Sequence, residues 1–252
     1  MSRPYRILAV DAGNSRVKWA LHEGSSFVSE DWCGHDGLER LDAQWETLVS
    51  PDSVVISNVA GDAVGAYLGR CCKRWGLVPT WVRGQQTQCG VINTYDNPAQ
   101  LGPDRWAALI GAHELSIGNC VVVCMGTATT VDALTGTGTF LGGMILPGVD
   151  MMHASLATRT ARLGAEQGKL VAFPHSTKDA ITTGAIRATC GAIGHMVDEM
   201  QLAGYEHVTV VLTGGAAPAF SSACKHSVVL REKLVLRGLV RIGEAGMQES
   251  GL

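Results

Sequence analysis

The sequence predicts an α/β protein built from two related lobes with a cleft between them. The segments that begin at residues 5 and 120 both show a strand, a small polar turn and two further strands, and helical patterns follow each of them. No low-complexity segment or long linker separates the two halves, so the predicted boundary is tight. We therefore expect one lobe at residues 1–116 and a second at residues 117–252.

The individual elements follow from the spacing of apolar residues. In the first half the predicted elements are strands at 5–10, 16–22 and 26–32, a helix at 36–49, a strand at 53–60, a helix at 62–75, a strand at 78–82 and a helix at 104–117. In the second half they are a strand at 120–125, a glycine turn and strand at 126–134, a strand at 137–146, helices at 148–163 and 178–203, a strand at 207–215 and a helix at 233–247.

Composition excludes several classes of function. The 252 residues carry a net charge of −3 with scattered basic residues, which argues against a nucleic-acid or membrane surface. No apolar run reaches the ~18 residues typical of a membrane span, and we expect no signal peptide. The eight cysteines form no C-x-x-C pair and the histidines show no metal-ligand spacing, so a zinc site is not expected. Buried thiols in a reducing compartment, and hence a cytoplasmic location, are the simplest interpretation.

The segment VDAGNSRVKWAL at 10–21 places a carboxylate at a bend. Asp11 ends an apolar run, and the turn residues Gly13, Asn14 and Ser15 follow it. Turn chemistry alone explains this pattern, because such polar side chains often bond the local backbone. The alternative is a phosphate-binding hairpin whose N–H groups and Ser15 meet phosphate oxygens while Asp11 holds magnesium.

Several further motifs have both a structural and a functional interpretation. GTATT at 126–130 follows an apolar strand directly, and strand propensity explains one or two of its threonines but not the whole run, which favours a phosphate-binding turn. Asp104 and Arg105 begin a predicted helix. Asp104 is either a helix-cap or first-turn acid, or the acceptor of a substrate hydroxyl proton, with Arg105 holding an anionic group. Glycine pairs at 142–143 and 214–215 mark tight bends or close ligand approach.

Taken in order, four segments resemble the motifs of the type III pantothenate kinases: DAGNSRVKWAL, LGPDRWAALIGA, GTATTVDAL and GGMILPGVDMMHASL. The resemblance spans essentially the whole chain. It implies the acetate and sugar kinase/Hsp70/actin fold, with two ribonuclease H-like lobes around an interlobe cleft. It also implies a homodimer that phosphorylates pantothenate with ATP in the opening step of coenzyme A synthesis. The apolar segment 106–115 and the helix after Pro147 are candidate contributors to the dimer.

The resemblance further implies individual roles. The residues expected to bind ATP are Asp11, Ala12, Gly13, Asn14, Ser15, Arg16, Val17, Lys18 and Thr127, with Mg²⁺ near Asp11. The residues expected to contact pantothenate are Tyr95, Gly102, Pro103, Asp104, Arg105 and Thr177, with Asp104 as the base.

The chain departs from the family pattern at two positions. Ser15 replaces a frequent threonine, which keeps the hydroxyl. Cys124 replaces the usual aspartate, which in relatives helps to bind a monovalent cation. Dependence on K⁺ or NH₄⁺ is therefore in question here.

Two other functions fit parts of the pattern. A ribonuclease H-like nuclease would use Asp11, Asp104 and Asp132 to bind metal ions, but a net charge of −3 without a basic stripe serves a polyanionic substrate poorly. A non-catalytic regulator could keep the fold, although the intact Asp11, Asp104, Arg105 and GTATT argue against it.

Overall fold

The computed structural model describes residues 3–159 and 166–250. Its strands are β1 (Arg6–Ala12), β2 (Arg16–Glu23), β3 (Ser26–Gly34), β4 (Ser53–Asn58), β5 (Thr80–Trp81), β6 (Thr87–Gln88), β7 (Val91–Asn93), β8 (Cys120–Met125), β9 (Ala128–Leu134), β10 (Thr139–Pro147), β11 (Thr209–Thr213) and β12 (Val228–Leu230). Its α-helices are α1 (Leu38–Glu46), α2 (Asp62–Cys72), α3 (Pro103–His113), α4 (Val149–Arg159), α5 (Thr177–Leu202), α6 (Ala217–Ser221) and α7 (Leu234–Ser250).

The first compact unit contains the described residues up to Leu115 and those from Lys233 onward. Its five-stranded sheet has the order β3-β2-β1-β4-β5, with β1 antiparallel to β2 and parallel to β4. Leu8, Val10 and Ile56 lie in a core that also contains Trp45. Because helices cover both faces of β1, its sequence is a continuous apolar run rather than an alternating one.

Helix α7 covers the other face of this sheet. A Cβ on its Gly243 would lie 3.1 Å from side-chain atoms of Ile7 and Val55. A Cβ on Gly238 would lie 1.8 Å from the carbonyl oxygen of Ala107 in α3, so only glycine allows the two helices to pack this closely. The predicted boundaries differ from this division, because they assigned all of residues 117–252 to the second lobe.

The second unit contains residues 116–232. Within it the strands have the order β12-β11-β8-β9-β10, with β8 parallel to β11 and antiparallel to β9. Val121, Val123 and Val131 pack with Ile193 and Val197 of α5. Strand β8 with its two antiparallel successors and parallel neighbour repeats the arrangement of β1, β2, β3 and β4, as the repeated sequence pattern predicts.

Most predicted elements are present, and their ends differ from the predicted ones by a few residues in either direction. The short elements β6, β7, α6 and β12, which contain two to five residues each, were not expected from the sequence. Residues 160–163, the end of the helix predicted at 148–163, lie outside the described residues. No helix in the described part of the chain has the length and apolar character needed to span a membrane.

Candidate active site

The turn between β1 and β2 is held by its own backbone. The N–H of Gly13 donates to the carbonyl oxygen of Arg16 at 3.0 Å. The ring of His35 donates from Nε2 to the carbonyl oxygen of Gly13 at 2.9 Å. Asn14 and Ser15 are exposed at the tip of the turn. The hairpin therefore presents small polar residues to solvent from a fixed backbone, and His35 is a contact that the sequence analysis did not predict.

Asp11 is paired in the sheet with Lys18 of β2 and with Ser57 of β4. Its Oδ1 atom is buried and has no hydrogen-bond partner among the described residues, and the same holds for the hydroxyl of Ser57. Burial raises the pKa of Asp11 from 3.8 to about 6; the charge of Lys18 acts against this rise and that of Asp104 adds to it. A buried carboxylate oxygen without a hydrogen-bond partner is energetically unfavourable, and it is suited to a cation that prefers oxygen ligands.

Asp104 lies in the first turn of α3. The N-cap is Gly102, Pro103 follows it, and Oδ1 of Asp104 accepts a hydrogen bond from the N–H of Arg105 at 2.9 Å. Asp104 is therefore not the residue that caps the helix. Because the charge of Asp104 raises the pKa of Asp11, the two carboxylates lie in one electrostatic neighbourhood of the first unit.

Arg105 and Tyr95 form a pair beside Asp104. Arg105 is only 4% exposed, and its Nη1 donates to the hydroxyl of Tyr95 at 3.1 Å. The guanidinium also lies over the Tyr95 ring, 5.8 Å from its centroid. The N–H of Tyr95 donates to the side-chain oxygen of buried Asn93 at 3.1 Å. Three predicted substrate-contacting residues are thus close together in the first unit, and Asn93 is a positioning contact that the sequence analysis did not identify.

The second predicted phosphate turn follows β8. The N–H of Gly126 donates to the carbonyl oxygen of Ala128 at 3.0 Å. The N–H of Gly148 donates to the carbonyl oxygen of Thr127 at 2.9 Å. A Cβ on Gly148 would lie 2.3 Å from the carbonyl oxygen of Gly126, so glycine is required where α4 begins against the turn. Thr127 is exposed, whereas Thr129 and Thr130 are buried.

The other predicted residues of the second unit lie at the start of α5 and within strands β8 and β9. Thr177 begins α5 and lines an apolar groove of about 490 Å³ that also includes Met152 and Leu156 of α4. Cys124 is paired in the sheet with Thr130 and Thr213. Asp132, one candidate of the nuclease hypothesis, is fully buried within β9.

The family model described as type III pantothenate kinase matches residues 7–199. The chain belongs to the type III pantothenate kinase family. It is 42% identical to the type III pantothenate kinase of Nitrosospira multiformis, over 94% of this chain and 90% of that protein. It is 43% identical to that of Azoarcus sp., over 97% and 93% respectively. The resemblance stated from the four motifs is thereby confirmed.

Solved structures confirm the predicted fold class of this pantothenate kinase family member. A Campylobacter jejuni protein, described as a candidate transcriptional activator of the Baf family, superposes with a TM-score of 0.62 at 22% identity, covering 97% of this chain and 98% of that one. MreB 5 of Spiroplasma citri superposes with a TM-score of 0.52 at 11% identity, covering 98% and 99%. At these identities the likeness concerns the fold alone.

Proposed function

We propose that this chain transfers the terminal phosphoryl group of ATP to the hydroxyl of pantothenate, the first step of coenzyme A synthesis. The family match over residues 7–199 supports the reaction. The observation that supports its location is the neighbourhood of Asp11, Asp104 and the Arg105–Tyr95 pair in the first unit. A kinase of this kind needs an activated hydroxyl, an anchor for the acceptor and a site for charged phosphates, and these residues match the three requirements.

Asp104 is the proposed general base. Its position in the first turn of α3 leaves the N-cap role to Gly102, so the carboxylate is available to accept the hydroxyl proton as the phosphoryl group arrives. Arg105 is the proposed anchor for the carboxylate of pantothenate. The hydrogen bond from Nη1 to Tyr95 holds the guanidinium in one orientation, which reduces the entropy lost when it binds an anion. Thr177 is a further proposed contact of pantothenate, beside the apolar groove that it lines.

The turn from Asp11 to Lys18 is the proposed binding site for the phosphates of ATP, and Thr127 supplies a second contact from the turn after β8. Family membership implies a divalent metal that accompanies ATP, and we propose Mg²⁺. The buried, unpartnered Oδ1 of Asp11 fits an oxygen ligand for such an ion. When bound, the ion neutralises charge on the phosphates. Lys18, paired with Asp11 across the hairpin, supplies positive charge from the protein itself.

The test combines product detection with a matched pair of variants. The purified chain, supplied with ATP and pantothenate, is expected to yield phosphopantothenate, detected by mass spectrometry. Asp104→Asn should lower turnover by roughly 10²–10⁴-fold, the usual contribution of a general base, with ATP binding little changed. Asp62→Asn is the control, because Asp62 is the exposed first-turn acid of α2 in the same unit. Equal turnover in both variants would show that Asp104 is only a helix residue.

We also propose that the chain acts as a homodimer. Helix α4 has no buried residue, and Met151 and Leu156 on it are 44% and 39% exposed, which suits a subunit contact. The other candidate segment, 106–115, is not suited, because the side chains from Trp106 to Ile110 are buried beside α7.

No observation favours nucleic-acid cleavage or a purely regulatory role. Cleavage of nucleic acid without pantothenate-dependent ATP use would refute the proposed kinase function.

A further inference from the structure

Two thiols of the second unit are in contact across elements that are distant in sequence. The sulfur atoms of Cys190 and Cys224 lie 3.7 Å apart, although 34 positions separate the residues. Cys190 is in the middle of α5, and Cys224 follows α6. Both side chains are partly exposed at the edge of the second unit's core. A small oxidant therefore has access to a pair of sulfurs that are already within van der Waals contact.

The segment that contains Cys224 lies close to α5 at two points. One is the thiol contact, and the other lies one helical turn further on, where a Cβ on Gly194 would be 3.3 Å from Nε2 of His226. The N–H of Cys224 also donates to the carbonyl oxygen of Phe220, a buried residue of the core. To form the bond, the two sulfurs must close from 3.7 Å to about 2 Å.

We propose that Cys190 and Cys224 form a reversible intramolecular disulfide, which makes this pair an oxidative modification site for low-molecular-weight peroxides. The inference is independent of the proposed function. The cross-link closes a loop that includes β11 and the glycine pair at 214–215, and it restrains residues 214–224, which lead from that turn to Cys224.

The chemistry balances with one equivalent of hydrogen peroxide. Cys224 first loses its proton to solvent; its thiolate then attacks one peroxide oxygen, the O–O bond breaks, and the hydroxide that leaves takes up a proton to form water, so that Cys224 becomes a sulfenic acid. The sulfur of Cys190 then attacks the resulting sulfenic acid, the S–S bond forms, and a second water leaves. Two thiols are oxidised and one peroxide is reduced. A dithiol reductant reverses the product.

The electrostatics of the pair suggest which thiol reacts first. The hydrogen bond from Cys190 lowers the pKa of Cys224, whereas the same interaction raises the pKa of Cys190. The thiolate is the nucleophile in this chemistry, so Cys224 is the attacking group and Cys190 the resolving one.

The sequence provides a convenient readout. No lysine or arginine lies between Arg187 and Lys225, so trypsin releases both cysteines in the single peptide 188–225. The folded full-length chain is treated with a few equivalents of hydrogen peroxide, quenched with catalase, denatured, alkylated and digested. We expect this peptide to be lighter by two hydrogens and to carry no alkyl group, and prior reduction should restore both alkylation sites. Cleavage after Glu199 and Glu206 should leave two fragments joined through sulfur.

Three variants sharpen the test. Cys190→Ser should accumulate a dimedone-reactive sulfenic acid at Cys224, whereas Cys224→Ser should give little at Cys190. Cys89→Ser, which removes a half-buried thiol of the first unit, should leave the cross-link unchanged. In the wild-type chain, hydrogen exchange between residues 214 and 224 should slow after oxidation. Full alkylation of peptide 188–225, a disulfide between two chains, or unchanged exchange would each overturn the proposal.

Discussion

Replacing Asp11 with asparagine should make the ligand-free chain more stable. The folded state raises the pKa of Asp11 from 3.8 to about 6, so the folded chain holds this proton more tightly than the unfolded chain. Stability therefore falls as pH rises between these two values. The difference of about 2 pKa units corresponds to about 3 kcal/mol at pH 8, and about half of this cost is already present at pH 5. An amide does not titrate, so Asp11→Asn removes the cost.

The assay is thermal unfolding in the presence of a chelator and without nucleotide, at pH 5 and at pH 8. For a chain of this size, 1 kcal/mol moves Tm by roughly 2–4 °C, so we expect a rise of several degrees at pH 8 and about half of it at pH 5. Asp62→Asn is again the control and should shift Tm by less than a degree or two at either pH, as expected of an exposed site.

A second substitution tests the electrostatic origin of the effect. Because the charge of Asp104 helps to raise the pKa of Asp11, Asp104→Asn should stabilise the wild-type chain at pH 8 but not the chain that already carries Asp11→Asn. A fall in Tm for Asp11→Asn, of equal size at both pH values, would refute the reasoning. It would show that the Asp11 carboxylate is a structural hydrogen-bond acceptor.

Three further predictions concern activity and assembly. Arg105→Lys should raise KM for pantothenate about tenfold or more and leave KM for ATP unchanged, because lysine cannot reproduce the forked contact with a carboxylate. The control is Arg70→Lys, at the similar Arg70–Tyr67 pair. Equal KM values for pantothenate in the two variants would contradict the assignment. Initial rates at equal ionic strength should be the same in potassium, ammonium and sodium, because the Cys124 thiol is a poor ligand for a hard cation. Cys124→Asp should introduce activation by potassium, and several-fold activation of the unmodified chain would refute the argument. Light scattering at micromolar concentration should give the mass of a dimer, and a monomer mass would reject the proposed subunit contact.

The sequence predicted the repeated strand and turn pattern because the relevant signals are local. The apolar run before Asp11 and the small polar residues after it specify a strand and a bend wherever they occur. The apolar run before Gly126 and the small polar residues after it likewise specify a strand and a bend. These local signals also place Asp104 and Arg105 at the start of a helix, which the structure bears out with α3.

The rest of the site depends on strand pairing and contacts between distant segments, which cannot be predicted from local sequence patterns. Ser57 is beside Asp11 only because β4 pairs in parallel with β1, and His35 reaches the Gly13 carbonyl from the segment after β3. The position of α7 is likewise determined by a contact between residues that are distant in sequence. Its apolar face predicts a helix packed on a core, but the close approach of Gly238 to Ala107 decides which core it covers. The strands β6 and β7 are too short to show a period.

Two ionic groups of the first unit, Arg105 and Asp11, have opposite environments. Arg105 is satisfied, since its charge lies against the Tyr95 ring and its Nη1 is hydrogen-bonded. Asp11 has Lys18 opposite it in the sheet, yet Oδ1 has no partner in the described part of the chain. A direct ion pair between the two side chains would lower the cost of burying the carboxylate, but it would also occupy the oxygen. On the proposed function, an unpaired carboxylate oxygen is what a metal ion accompanying ATP requires, and the lost stability is the physical consequence of keeping that oxygen available.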